Sequence, residues 1–269
     1  MLHARRGALP GERAMLVYGH RGAAGEAPEN TLGGFRHAWQ RGARRFELDV
    51  HLAADEELVV IHDARVDRTT GERGAVASFS SAMLKRMDAR RGAPPWPRRE
   101  GIPRLREVLR ALPRAESWQI EVKKGGSAQQ MRATALRLRA LVAELRIAPK
   151  IIVTSADREF LGHAAELMPR VARGYVGIGH NSLATASELG CNYLMLNLFA
   201  CSPTLRVQAW RKQIALSVWT VNDPVSIRNL QRMRVHSIVS DYPSMALPLL
   251  AQIEGKAQAR SPTRPGKAR

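Results

Sequence analysis

Cysteine is nearly absent from this chain: its 269 residues include Cys191 and Cys201 and no others. The two flank an expected strand at 193–197, so their Cα atoms stand near its opposite ends, well beyond the roughly 7 Å that a disulfide spans. A disulfide-stapled secreted module is excluded, and both residues are read as structural thiols. Long apolar runs are missing too, none approaching the roughly 18 residues of a membrane-spanning helix. Residues 1–13 carry Arg5, Arg6 and Arg13, but the apolar run at 14–18 is shorter than the roughly 7 to 15 residues of a signal peptide, so the expected compartment is the cytoplasm. Acidic residues are scarce, 24 against 42 Lys and Arg, for a net charge of +18. Lysine contributes only seven of those cations. The arginines are spread over nearly every expected helix, aromatic residues are only 5%, and no nucleic-acid-binding motif is present, so nucleic acid is not the expected partner. A positive field of this kind steers small anionic ligands, and at most adds a peripheral contact with an anionic membrane.

What the chain does have is concentrated in residues 16–63. His20 and His62 stand at the ends of apolar runs, and an acidic pair, Glu47 and Asp49, lies between them. Residues 45–52 alternate: Glu47, Asp49 and His51 point to one face, and Phe46, Leu48, Val50 and Leu52 to the other. A lone E-x-D on a strand is usually a solvated edge. Here a second strand, 118–122, places Glu121 on one face, with Lys123 following on the same side. Three carboxylates brought together raise one another's pKa unless a cation sits among them, and a hard divalent ion, Mg²⁺ or Ca²⁺, suits an all-oxygen set. Lys123 then supplies a point charge for a phosphoryl oxygen, and Arg21 a planar fork.

Nine short motifs in order extend this pattern: H-R-G at 20–22, P-E-N-T at 28–31, E-L-D-V at 47–50, V-I-H-D at 60–63, D-R-T-T-G at 67–71, I-P-R-L-R-E-V-L at 102–109, E-V-K at 121–123, W-T-V-N at 219–222 and S-D-Y-P at 240–243. Together they resemble the glycerophosphodiester phosphodiesterase family over roughly residues 16–250. One departure is the turn at 54–57, where Glu56 follows Asp55 and relatives often have Gly. Glu tolerates positive φ poorly, which bears on the turn and not on the chemistry.

Strand signals recur at 15–19, 46–52, 118–122, 150–154, 171–176, 193–197, 215–221 and 237–240. Helical patterns fit 31–40, 105–112, 128–145, 157–168, 182–189, 203–212, 224–232 and 243–253. Eight strands alternating with eight helices predict an α/β fold, a (β/α)₈ TIM barrel occupying 14–254, with its site at the C-terminal ends of the strands. Residues 58–61 follow the second strand too closely for a parallel crossover and are expected to fold back as a hairpin. Residues 63–101 are expected to form a small cap insertion that shapes the leaving-group pocket, and 255–269 a disordered basic tail.

The resemblance implies His20 and His62 as catalytic acid and base, Glu47, Asp49 and Glu121 as ligands of one divalent cation, and Arg21, Lys123, Glu29, Asn30 and Trp219 as substrate contacts. Asn30 or Thr31 is otherwise an ordinary helix N-cap, Trp219 ordinary packing, and His51 a solvated residue further along its strand. The implied reaction yields sn-glycerol 3-phosphate and an alcohol, with the glycerol 2-hydroxyl as nucleophile and a cyclic phosphate that water opens. A lysophospholipase D with the same barrel is the second reading, to be told apart by an apolar channel in the cap. A non-catalytic phosphate- or nucleic-acid-binding protein is the third, though it leaves the histidines and acidic trio unexplained.

Overall fold

A computed structural model describes residues 14–259; the expected basic segment at 1–13 and the tail from residue 260 on lie outside the described residues. Eight strands run parallel: β1 (Leu16–Gly19), β2 (Arg45–Leu52), β4 (Ser117–Val122), β5 (Ile151–Ser155), β6 (Ala172–Gly177), β7 (Tyr193–Asn197), β8 (Ala215–Trp219) and β9 (Ser237–Ser240). They pair in the order β1-β9-β8-β7-β6-β5-β4-β2, and β1 also pairs β2, which closes the barrel. The expected (β/α)₈ architecture is therefore the one observed.

The alternation in β2 explains how its two faces are spent. Phe46, Leu48 and Val50 are fully buried against the helix layer, with Phe46 edge-on to Phe35 and tilted against Trp118. Burying side chains of this size stabilises by about 1.5–3 kcal/mol each. The register of that packing turns Glu47 and Asp49 into the barrel, where they are 7% and 1% exposed. A second apolar group of Tyr18, Ile152, Val176, Met195 and Val239 fills the interior, tied across by Tyr18 to Ser117 (3.0 Å) and Gln119 to Ser217 (3.1 Å).

The hairpin is present: β3 (Leu58–Val60) runs antiparallel to β2, with Val50 opposite Val60 and Leu52 opposite Leu58. Its turn needs Glu56 at φ 57°, the left-handed region that the Gly of relatives would enter without strain. Asp55 binds the backbone N–H (3.0 Å) and hydroxyl (2.7 Å) of Ser81, anchoring the insertion to that turn.

The helices are α1 (Leu32–Gln40), α2 (Ser81–Arg86), α3 (Leu105–Ala111), α4 (Ala128–Leu145), α5 (Arg158–Leu167), α6 (Ser182–Glu188), α7 (Pro203–Arg211), α8 (Pro224–Arg232) and α9 (Pro243–Ala259). Of these, α2 was not expected, because six residues are too few for a periodic signal. The last helix continues to Ala259 through Gly255, so residues 255–259 belong to it and not to a tail. Residues 63–101 build a satellite core around Val66, Val76, Leu84 and Met87 against Val59 and Ile61 of the hairpin arm. Among the described residues, no helix is long and apolar enough to cross a membrane.

Candidate active site

A cavity of about 130 Å³ opens at the C-terminal ends of the strands and is lined by His20, Arg21, Glu47, Asp49, His62, Glu121, Lys123 and Trp219, among others. Eight of the ten residues singled out from sequence therefore converge. Each is placed by a strand end: His20 and Arg21 follow β1, Glu47 and Asp49 lie in β2, His62 follows β3, Glu121 ends β4 before Lys123, and Trp219 ends β8. The loop after β1 closes tightly, since a Cβ on Gly22 (φ 91°) would sit 2.9 Å from the backbone of Gly34. No residue of 63–101 lines this cavity.

Glu47, Asp49 and Glu121 each offer an oxygen within 4.8 Å of the others. Pair register explains it, since Asp49 lies directly beside Glu121 on the neighbouring strand. Burial, reinforced by the Asp49 charge, pushes the Glu47 carboxyl up to about 8 and raises Glu121 as well. Burial acts the same way on Asp49, but Lys123 and Arg21 outweigh it and hold this carboxyl far below its usual range. Lys123 Nζ lies 2.7 Å from Glu121 Oε1 and 3.2 Å from Asp49 Oδ1, and Arg21 Nε 3.2 Å from Asp49 Oδ2. An anionic pocket with one carboxyl driven toward its neutral form is a site short of positive charge, and the donor set fits a hard divalent cation.

Each histidine is held through Nδ1 by a carboxylate: His62 by the adjacent Asp63, a pairing already visible in V-I-H-D, and His20 by Asp241, which sequence reasoning did not assign. His20 Nδ1 meets Asp241 Oδ1 at 2.6 Å, and Asp241 receives Asn222 Nδ2 on its other oxygen (2.6 Å) while its own N–H donates to Asn222 Oδ1 (2.9 Å). Burial lowers the His20 pKa, but the Asp241 hydrogen bond and the Glu47 charge outweigh it, and the ring is shifted upward. His62 Nδ1 meets Asp63 Oδ1 at 2.6 Å. Asp63 accepts Arg68 Nε at 2.6 Å, which outweighs burial and holds its carboxyl down at about 2. Both histidines thus keep Nε2 as the working nitrogen. The signals were on the page in S-D-Y-P, W-T-V-N and D-R-T-T-G, but nothing local says which histidine each serves.

Glu29 and Asn30 do not line the cavity. Asn30 is 2% exposed, takes up φ 56° and donates Nδ2 to Asp49 Oδ2 at 2.9 Å, so it holds the Asp49 carboxylate from behind. Glu29 bridges Arg21 (2.8 Å) and both terminal nitrogens of Arg68 (2.7 and 2.8 Å), linking Arg21 to the His62 support. His51 is not a solvated residue: its Nε2 meets the carbonyl of His62 at 3.1 Å and fastens the two hairpin arms. Trp219 lines the cavity, and its Nε1–H is buried with no protein acceptor.

The profile of the glycerophosphoryl diester phosphodiesterase family matches residues 20–245. A Bacillus subtilis protein assigned as a glycerophosphodiester phosphodiesterase is 31% identical over 238 residues, covering 87% of this chain and 97% of its own length. A crystal structure of a Silicibacter pomeroyi protein assigned to the same activity superposes with a TM-score of 0.83 at 24% identity, over 91% of this chain and 96% of its own. An Oleispira antarctica phosphodiesterase in complex with its product sn-glycerol-3-phosphate does so with a TM-score of 0.77 at 23% identity, over 88% of this chain and 97% of its own. The two structures speak for the shared barrel, and the profile and the B. subtilis relative for descent. With the barrel, the paired histidines and the acidic trio in place, the chain belongs to the glycerophosphoryl diester phosphodiesterase family.

Proposed function

We propose that this protein hydrolyses glycerophosphodiesters to sn-glycerol 3-phosphate and an alcohol. The observation that carries the reading is the convergence of two histidines, each braced by a carboxylate, on one cavity with a buried carboxylate trio. Glu47, Asp49 and Glu121 would hold one divalent cation, Mg²⁺ or Ca²⁺, which when bound supplies Lewis-acid neutralisation of phosphate charge. Arg21 and Lys123 reach the same region and add hydrogen-bonded positive charge to the phosphoryl oxygens as negative charge builds on them. One histidine takes the proton of the attacking hydroxyl through Nε2, and the other gives its proton to the departing alkoxide as the phosphorus–oxygen bond breaks. If the attacking group is the glycerol 2-hydroxyl, the two rings exchange roles when water opens the cyclic phosphate. Val176, Met195, Val239 and Trp219 wall the cavity with apolar surface.

The test is release of glycerol 3-phosphate from glycerophosphocholine and glycerophosphoethanolamine with EDTA, Mg²⁺ or Ca²⁺, for the wild type, His20→Ala and Glu121→Ala. Metal-dependent turnover lost in both variants is expected. Turnover that survives EDTA or His20→Ala would overturn the assignment.

A further inference from the structure

The catalytic cavity is too small for both arms of a diester. Its 130 Å³ or so is the liquid volume of roughly four waters, and its apolar wall of Val176, Met195 and Val239 lies on the side of β6, β7 and β9. The carboxylate trio stands on β2 and β4, which lie across the barrel from that wall in the pairing order. Displacement at phosphorus places the attacking and leaving oxygens roughly in line, so the two arms of the diester point to opposite sides. A phosphate held at the trio with its glycerol arm against the apolar wall therefore sends its alcohol arm over the ends of β2 and β4.

A second, larger cavity of about 470 Å³ begins there, within the range of small-molecule sites. Lys123 belongs to both cavities, and His51, which also lines the larger one, meets the His62 carbonyl at 3.1 Å. Three elements build its walls: the end of β2 with the hairpin turn, the insertion through Ala64 and residues 75–77, and the connection from β4 into α4. The gap between them follows from strand length. β4 stops at Val122, opposite Val50, while β2 runs on to Leu52 and turns back as β3. Gly125 and Gly126, at φ 138° and 113°, bring no side chain to the facing connection.

We propose that this second cavity receives the leaving alcohol, and that an uncharged polyol suits it better than a cationic amino alcohol, an assignment that rests on the proposed diester hydrolysis. Its charged lining residues are Lys123, Lys124 and Glu56, and the Glu56 carboxylate is ion-paired with Arg137. His51 adds no charge, because burial shifts its pKa downward. A quaternary ammonium is held best over aromatic faces, and no aromatic side chain lines this cavity among the described residues, so two lysines are left to repel it. Exposed Lys124 and Gln129 supply the donors and acceptors that hydroxyls use, and the small side chains of Ala64 and Ala77 leave the room.

The experiment is steady-state turnover by the full chain of glycerophosphoglycerol, glycerophosphocholine and the methyl ester of glycerol 3-phosphate, each with the divalent cation that supports activity. It compares the wild type with Ala64→Trp, Ala77→Trp and Lys124→Glu, all at exposed positions. Wild type should prefer the glycerol ester to the choline ester by about tenfold in kcat/KM. Either tryptophan should lower kcat/KM on the glycerol ester by about tenfold relative to the methyl ester, mainly through KM, because a methyl group does not extend into the second cavity. Lys124→Glu should narrow the gap between the choline and glycerol esters. Unchanged ratios in both tryptophan variants, equal loss on all three esters, or a wild type that uses the choline ester as well as the glycerol ester would overturn the inference and leave the hydrolysis standing. No turnover of any ester by the wild type would defeat the proposed function, and the inference with it.

Discussion

Asp241→Asn isolates the role of a carboxylate that touches neither the acidic trio nor, by its lining position, the cavity. Asn222 faces one side of residue 241 with Nδ2 at 2.6 Å, and His20 Nδ1 faces the other at 2.6 Å. An amide at 241 satisfies Asn222 only by turning its oxygen toward it, which leaves its NH₂ against His20 Nδ1. The ring is then driven to carry its proton on Nε2, the nitrogen that has to accept one. A charge-assisted hydrogen bond contributes about 1.5–3 kcal/mol, and the wrong tautomer adds to that loss. The expected fall in kcat is about 10²–10⁴-fold, the range found when the orienting carboxylate of a serine-protease triad is neutralised. The pH dependence of stability carries a second signature. The His20 pKa is raised, so its contribution is present below about 6.5 and lost as pH rises through the folded value, while that of Asp241 is lowered and its contribution is lost as pH falls below about 4. The wild type should therefore exceed the variant in Tm most between about pH 4 and 6.5. The assay is kcat and KM on glycerophosphocholine with thermal melts at three pH values. A kcat within about threefold of wild type, with unchanged melting, would refute the assignment of Asp241 to His20.

Other expectations follow from the same geometry. Because Glu47 is held near 8, cation binding at neutral pH should release about one proton, and affinity should rise close to tenfold per unit from pH 6 to 8 and then level, as read by calorimetry in two buffers of different ionisation heat. The same raised carboxyl makes the cation-free protein lose stability as pH climbs from about 4.5 to 8, so added Mg²⁺ or Ca²⁺ should raise Tm more at pH 8 than at pH 5. Arg68→Met, which unties Asp63 from Glu29, should lower kcat by about 10- to 100-fold with Tm little changed; a loss confined to KM would place Arg68 on the substrate instead. Glu56→Gly should raise stability by about 0.5–1 kcal/mol by relieving φ 57°, the exposed ion pair to Arg137 being of small worth, and a lowered melting point would contradict the strain assigned to this turn.

The elements legible beforehand were those whose signal is local. Period-two alternation in β2 and β4 announced which face carried Glu47, Asp49 and Glu121, and the short link from β2 to β3 required a hairpin because no parallel crossover fits in it. Helix ends drifted by a residue where caps such as Thr31 and Asp157 were counted inside, and α9 outran its expected end because the basic residues from 255 on carry no apolar periodicity. Glu29 and Asn30 contact Arg21 and Asp49, and a polar residue beside a motif does not say whether it faces a cavity or a neighbouring side chain.

Composition, alternation and motif order by themselves determined the barrel, the acidic trio and the two histidines, because each depends on residues a few positions apart on one strand or at one strand end. Only the tertiary structure decided which carboxylate serves His20 and which groups brace Arg68. His20 meets Asp241 across 221 positions of chain, and Arg68 reaches Glu29 across 39, because barrel closure brings β9 beside β1 and the insertion folds back over α1's approach.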